Sequence, residues 1–235
     1  MSFFKSNKNF IIEIQSKSQN ETSETNENIF PTYNLGEWKI FTSDDSIRLN
    51  VLQNKVTILN KIKNESKKPF GLIVTSISEI EIASLYAHFL YIPGEICRQS
   101  DILEHSAKTK LPLIIERGSF LAANDISRVI DKLGSAEIAI VDCGTANGYS
   151  DSILDPRVLF TLQNSGKPFG IHLSDLLAPE GTKYPHRPQW LMNYEFVSAF
   201  INTGNAFGAS FYVIKNYGNG TLVSNNIIHK IPRNL

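Results

Sequence analysis

The feature that most limits the fold of this chain is an alternation. Short apolar runs recur at roughly 20–35-residue spacing, and the segments between them carry helical periodicity. The runs are Trp38–Thr42, Gly71–Thr75, Phe89–Ile92, Leu113–Ile115, Ile138–Asp142, Phe169–Leu173 and Ala209–Ile214. They are apolar nearly throughout, as strands are when helices cover both faces of a sheet. Repeated strand–helix–strand units of this kind specify a parallel sheet, either closed into a barrel or open and doubly wound. Phe10–Ile14 offers a weaker eighth strand.

The helices between the runs have recognisable ends. Ile47, Val51, Leu52, Val56, Leu59 and Ile62 return at about 3.6 residues and mark one long amphipathic helix. Ser76 with Glu79 reads as a capping box. Asp101 is expected to cap a helix reaching Lys108, and Gly134 to end one over Asp125–Leu133. Asp155-Pro156 gives an N-cap and a first-turn proline for Arg157–Leu162, and a last long helix covers Trp190–Ile201. Residues 16–29 are polar and hold too little apolar surface to offset the entropy of ordering. They are expected to be an irregular linker. On this reading residues 1–30 stand apart as an apolar segment with its linker, and 31–235 form the folded domain.

Size and charge narrow the function classes. A chain of 235 residues is close to the roughly 250 of a (β/α) barrel. Lys+Arg and Asp+Glu both number 23, so nothing points to nucleic acid or an anionic membrane as partner. The two cysteines, Cys97 and Cys143, are no disulfide framework, and a reducing cytosol is expected. No apolar run approaches a membrane span, and Phe10–Ile12 is too short for the core of a signal peptide.

In either sheet architecture ligands bind at the carboxyl ends of the strands. Residues following the strands therefore gather on one rim: Glu95, Arg98, Glu116, Arg117, Asp142, Asp175, Arg187 and Lys215. Spacing alone favours ordinary loop charges that pair with one another. The five histidines are scattered, none paired at helical ligand spacing, and no cysteine lies near the other. His172 reads as a packed, hydrogen-bonded residue, and both cysteines as buried, inert thiols. The loop "DCGTANGYSD" holds Gly144 and Gly148 but no lysine, arginine or histidine. It matches neither a Walker loop nor a dinucleotide fingerprint. Its backbone amides could still cradle an anion.

Taken in order, the rim segments resemble 3-deoxy-manno-octulosonate-8-phosphate (KDO-8-phosphate) synthase, of the class I DAHP synthase superfamily. "IPGEICRQSDILEHSAKT" is similar to the family's I-P-A-F-L-x-R-Q-T-D-L segment and its A-K-T turn. "PLIIERGSF" falls where the family has K-K-P-Q-F. "IVDCGTANGYSDSILDPRVL" resembles the R-G-x-x-F-G-Y loop and the helix after it. "KPFGIHLSD" lies where P-V-x-x-D-x-T-H occurs, "EFVSAF" resembles the R-E-F-V helix opening, and "VSNN" falls near S-D-G-P-N. The resemblance covers about residues 45–226. It implies a TIM-type (β/α) barrel, which the short N-terminal region would leave incomplete. It also implies an aldol-type condensation of phosphoenolpyruvate with arabinose 5-phosphate in lipopolysaccharide sugar biosynthesis.

The departures fall on the residues that do this chemistry in the family. Cys143 stands where an arginine binds the phosphate of phosphoenolpyruvate, and Glu116 and Arg117 stand for two lysines. Asp175 replaces a metal-ligand histidine, Val213 falls near a ligand glutamate, and Asn225 replaces an aspartate. The segments carrying the metal cysteine (G-P-C) and a phosphate loop (K-A-N-R-S-S) have no counterpart. Arg98, Gln99, Asp101, Gly144, Gly148, Tyr149 and Asp155 are retained. Trading arginine for cysteine removes a bidentate phosphate contact, and glutamate for lysine adds repulsion. The resemblance therefore leaves three readings: a homologue without synthase activity, a related enzyme with another carbohydrate substrate, or a working synthase. The first is expected. The candidate binding residues are Arg98, Gln99, Glu116, Arg117, Asp142, Asn147, Asp175 and Arg187, around a small sugar or sugar-acid ligand. No metal or other cofactor is expected, with Asp175 a lone hard ligand. The assembly expected is a homo-oligomer, or a hetero-oligomer with an active synthase.

Overall fold

The computed structural model describes residues 2–6, 10–15, 28–34, 45–147, 151–177 and 194–216. Eight strands close a barrel, and every neighbouring pair is parallel. In chain order these are β1 (Phe10–Gln15), β2 (Ile29–Asn34), β3 (Gly71–Ile73), β4 (Phe89–Ile92), β5 (Leu113–Arg117) and β6 (Ile138–Asp142), then β9 (Phe169–His172) and β10 (Phe211–Asn216). Between β6 and β9 the chain adds an antiparallel pair, β7 (Thr145–Asn147) and β8 (Asp151–Ile153). The helices are α1 (Phe3–Ser6), α2 (Asp45–Glu65), α3 (Ile77–Ala83), α4 (Ser100–Lys108), α5 (Ile126–Leu133), α6 (Pro156–Asn164), α7 (Leu173–Leu177) and α8 (Tyr194–Ala206). No described helix is long and apolar enough to cross a membrane.

Side chains alternate between two apolar layers, as the strand period of two requires. Phe10, Ile12, Phe30, Ile73, Phe89, Tyr91, Ile114, Val141, Phe211 and Val213 fill the interior. Ile11, Leu72, Leu90, Leu113, Ile115, Ile140, Ile171 and Ile214 form the layer between the strands and the helices. The floor of the barrel is aromatic. Phe10 and Phe211 stack with centroids 4.8 Å apart, and Phe3 of α1 packs against Phe10, Phe30 and Phe89. Ser2 Oγ and the Phe4 N–H both donate to Glu137 Oε1, at 2.6 and 2.8 Å, which latches this plug.

Several expected ends are in place. Ser76 Oγ accepts from the Glu79 N–H, while the Glu79 carboxylate turns back to the N–H and hydroxyl of Thr75. Asp155 accepts the Arg157 N–H at 2.9 Å, with Pro156 opening α6. Gly134 ends α5 at positive φ. Asp101 does not cap α4. It lies in the first turn, behind Gln99 at the cap position, whose side chain makes no capping bond.

The N-terminal part differs from expectation. The barrel is complete, and β1 is one of its staves between β10 and β2. Residues 10–15 and 29–30, set apart in the sequence reading, thus belong to the barrel wall. Pro31 masks β2 in the sequence, because a proline counts against an interior strand. The run Trp38–Thr42 and the residues 16–27 of the expected linker lie outside the described residues.

Candidate functional site

Glu116 shares the inward face of β5 with Ile114, two residues earlier. Its carboxylate therefore rises into the barrel mouth, with 7% of the residue exposed. Tyr91, inward on β4, donates its hydroxyl to Glu116 Oε1 at 2.6 Å. The Gly94 N–H donates to Oε2 at 2.7 Å. A close approach favours glycine at 94, since a Cβ there would lie 3.0 Å from Gly118 Cα.

His172 ends β9 on the same inward side and is fully buried. Its Nδ1 accepts the Asp175 N–H at 3.1 Å, from the first turn of α7. Its Nε2 faces Glu116 Oε1 at 3.7 Å and has no hydrogen-bond partner. Asp175 Oδ1 receives the Lys215 ammonium at 2.6 Å. Ser174 Oγ accepts the Lys215 N–H at 2.8 Å and so ties α7 to β10. Four inward residues from three strands and one helix therefore meet: Glu116, His172, Asp175 and Lys215.

Burial, then the nearby Asp175 carboxylate, raises the Glu116 carboxyl to about 7, against Lys215 and the bonds from Tyr91 and Gly94. Burial lowers His172 to about 4, so the ring is neutral near pH 7. Cys143 follows Val141 on the inward side and is itself buried. Burial and then the carboxylates of Glu116, Asp175 and Asp142 push its thiol well up. The mouth thus has an acidic field at the position of Cys143.

Arg117 points the other way, through the wall. It is fully buried, with Nε donating to Asp142 Oδ1 at 2.7 Å. Its remaining donors hold the carbonyls of Gly118, Leu121 and Gly144 and the hydroxyl of Thr145. Gly144 sits at φ +80°, which aims its carbonyl at the guanidinium. Burial pushes the Asp142 carboxyl up, against the pull of Arg117. This pair is an anchor for two loops.

Of the residues expected to bind ligand, Glu116 and Asp175 meet in the mouth. Arg117 and Asp142 do not, because their positions on β5 and β6 face the helices. Arg98 and Gln99 are exposed, and the Arg98 carbonyl receives Lys132 of α5. Neither hydrogen-bonds to the cluster. Asn147 lies in β7, and Arg187 falls outside the described residues. His172, Tyr91 and Gly94 were missed as members. Alternation from Ile114 and from Gly170 would have put Glu116 and His172 on one face.

Asp175 is not the lone ligand that the sequence reading made it. Glu116, His172 and Asp175 present ligand atoms within 4.8 Å of one another. They do not, however, fit the divalent metal that the resemblance implies. The neutral His172 ring accepts at Nδ1, so its proton is on Nε2, the nitrogen that faces Glu116. Asp175 already holds an ammonium, and Val213 offers no ligand atom.

No family model matches the chain. Curated proteins do. The chain is 34% identical over 164 residues to the 2-dehydro-3-deoxyphosphooctonate aldolase of Protochlamydia amoebophila (strain UWE25), covering 63% of this chain and 58% of that protein. It is 32% identical over 130 residues to the protein of the same name from Bartonella henselae (strain ATCC 49882 / DSM 28221 / CCUG 30454 / Houston 1), covering 54% and 47%. Against the one from Pisum sativum the figures are 30% over 146 residues, 60% and 50%. The chain spans about half the length of the curated relatives it matches. The ordered rim segments, the closed parallel barrel and these relatives together support a divergent relationship of this chain to the 2-dehydro-3-deoxyphosphooctonate aldolase (KDO-8-phosphate synthase) family.

Proposed function

We propose that this chain keeps the barrel of its family without condensing phosphoenolpyruvate with arabinose 5-phosphate, and that its mouth takes a polar ligand of low charge, such as a sugar or sugar acid. One observation carries this reading. Where the resemblance implies a phosphate-binding arginine stands Cys143, buried in the field of Glu116, Asp175 and Asp142. That field raises a thiol and opposes a phosphate dianion for the same reason. Among the described residues Lys215 is the cation acting on Cys143 there, and it is paired with Asp175.

Arg117 supplies no replacement, because its charge is spent inside the wall. Near pH 7 the mouth holds a neutral His172, a Glu116 near its midpoint and an Asp175–Lys215 pair. Such a set balances donors and acceptors with little net charge, as a polyol requires. Calorimetric titration of the purified protein tests the reading. Phosphoenolpyruvate at millimolar concentration is expected to give no saturable heat, while a panel of unphosphorylated sugars and sugar acids yields a binder. Tight binding of phosphoenolpyruvate would overturn it.

A further inference from the structure

Glu116, His172 and Asp175 bring two carboxylates and an imidazole within 4.8 Å, yet Asp175 already holds an ammonium. The reason lies on β10. Phe211 and Val213 occupy its inward face, so Lys215 follows them into the mouth. Its ammonium reaches Asp175 Oδ1 at 2.6 Å, and its backbone is fixed through Ser174.

We propose that the Lys215 ammonium is the resident cation of the Glu116–His172–Asp175 cluster, standing where a divalent ion would otherwise be drawn, so that the barrel mouth is independent of metal. The unpartnered Nε2 of His172, fully buried and aimed at Glu116, marks the cluster as a polar centre and not a packed seam. Without Lys215 the Asp175 carboxylate beside Glu116 would lose the ammonium that it now holds. Oxygen donors so placed favour a hard divalent ion.

Manganese(II) binding to the purified full chain, read by the loss of the free-ion electron paramagnetic resonance signal, tests this. No substrate is present, so the outcome is separate from that of the ligand proposal above. The wild type is expected to show no specific site. Lys215→Met should bind a single ion per chain about tenfold or more tighter than wild type, as removal of a neighbouring unit charge requires. Lys215→Arg, which keeps the cation, should behave as wild type. Adding Glu116→Gln to Lys215→Met should abolish the gain. If Lys215→Met does not fold, Lys215→Gln serves the same purpose. A wild-type site as tight as that of the variant would overturn the proposal, and so would a folded, charge-free variant that binds no better than wild type.

Discussion

Arg117 is the side chain whose loss should cost most stability. Its guanidinium is wholly enclosed and donates to Asp142 Oδ1 and to the carbonyls of two loops. Removing one partner of such a pair strands the other charge. Arg117→Met is therefore expected to destabilise the fold by about 3–5 kcal/mol in denaturant unfolding, and Arg117→Met with Asp142→Asn by less. Glu116 makes a different prediction. Its carboxyl moves from an ordinary 4.5 to about 7 on folding, so the folded state holds the extra proton and stability falls as pH rises across that window. His172 moves from 6.5 to about 4, so stability falls as pH drops through that range, and the two effects oppose each other where they overlap. Glu116→Gln removes only the first. Apart from a constant offset for the Gly94 bond, the variant should gain on wild type as pH rises from 4.5 to 7, by about 3 kcal/mol in all. A pH-independent difference between the two unfolding curves would contradict the burial argument.

At the scale of elements, the four-residue α1 carries a clear load. Phe4 is buried at 3% exposure, and its backbone bonds to Glu137 across the floor. Phe4→Ala should cost about 3–5 kcal/mol, visible as a lower denaturant midpoint. A shift within error would mean that the plug does not support the floor. The elements also show what was legible beforehand. Seven of the eight staves lie on apolar runs, because a parallel strand covered on both faces must be apolar throughout. Phe10–Ile14 was the weakest of these, yet it pairs on both sides. β2 was lost to Pro31, a residue a strand tolerates where its missing N–H is not needed. The mouth was harder to read. Arg98, Arg117, Arg187 and Lys215 were expected to converge, but Arg98 is exposed, Arg117 turns into the wall, Lys215 pairs with Asp175 in the mouth, and Arg187 lies outside the described residues. Strand ends share a rim, whereas the side-chain period of two decides which residues enter it. Glu116 and Arg117, adjacent in sequence, therefore end on opposite sides of the wall.

For the whole molecule, the closed parallel barrel is in place, and the proposal concerns the chemistry at its mouth. The parallel wall, the capping of α6 by Asp155 and the left-handed Gly144 are structural features that any ligand could use. The charge at the mouth is not neutral to function in that way, because the resemblance implies cations where Cys143 and Glu116 stand, and on the proposed reading their absence disfavours a phosphate dianion. Cys143→Arg alone is expected to restore no activity, since the new guanidinium would meet Glu116 and Asp175 before any phosphate. The most direct measurement is release of inorganic phosphate when the purified wild-type protein is given phosphoenolpyruvate and arabinose 5-phosphate together. A rate equal to that without protein is expected. Phosphate released above that control, in step with formation of an eight-carbon sugar acid phosphate, would contradict it.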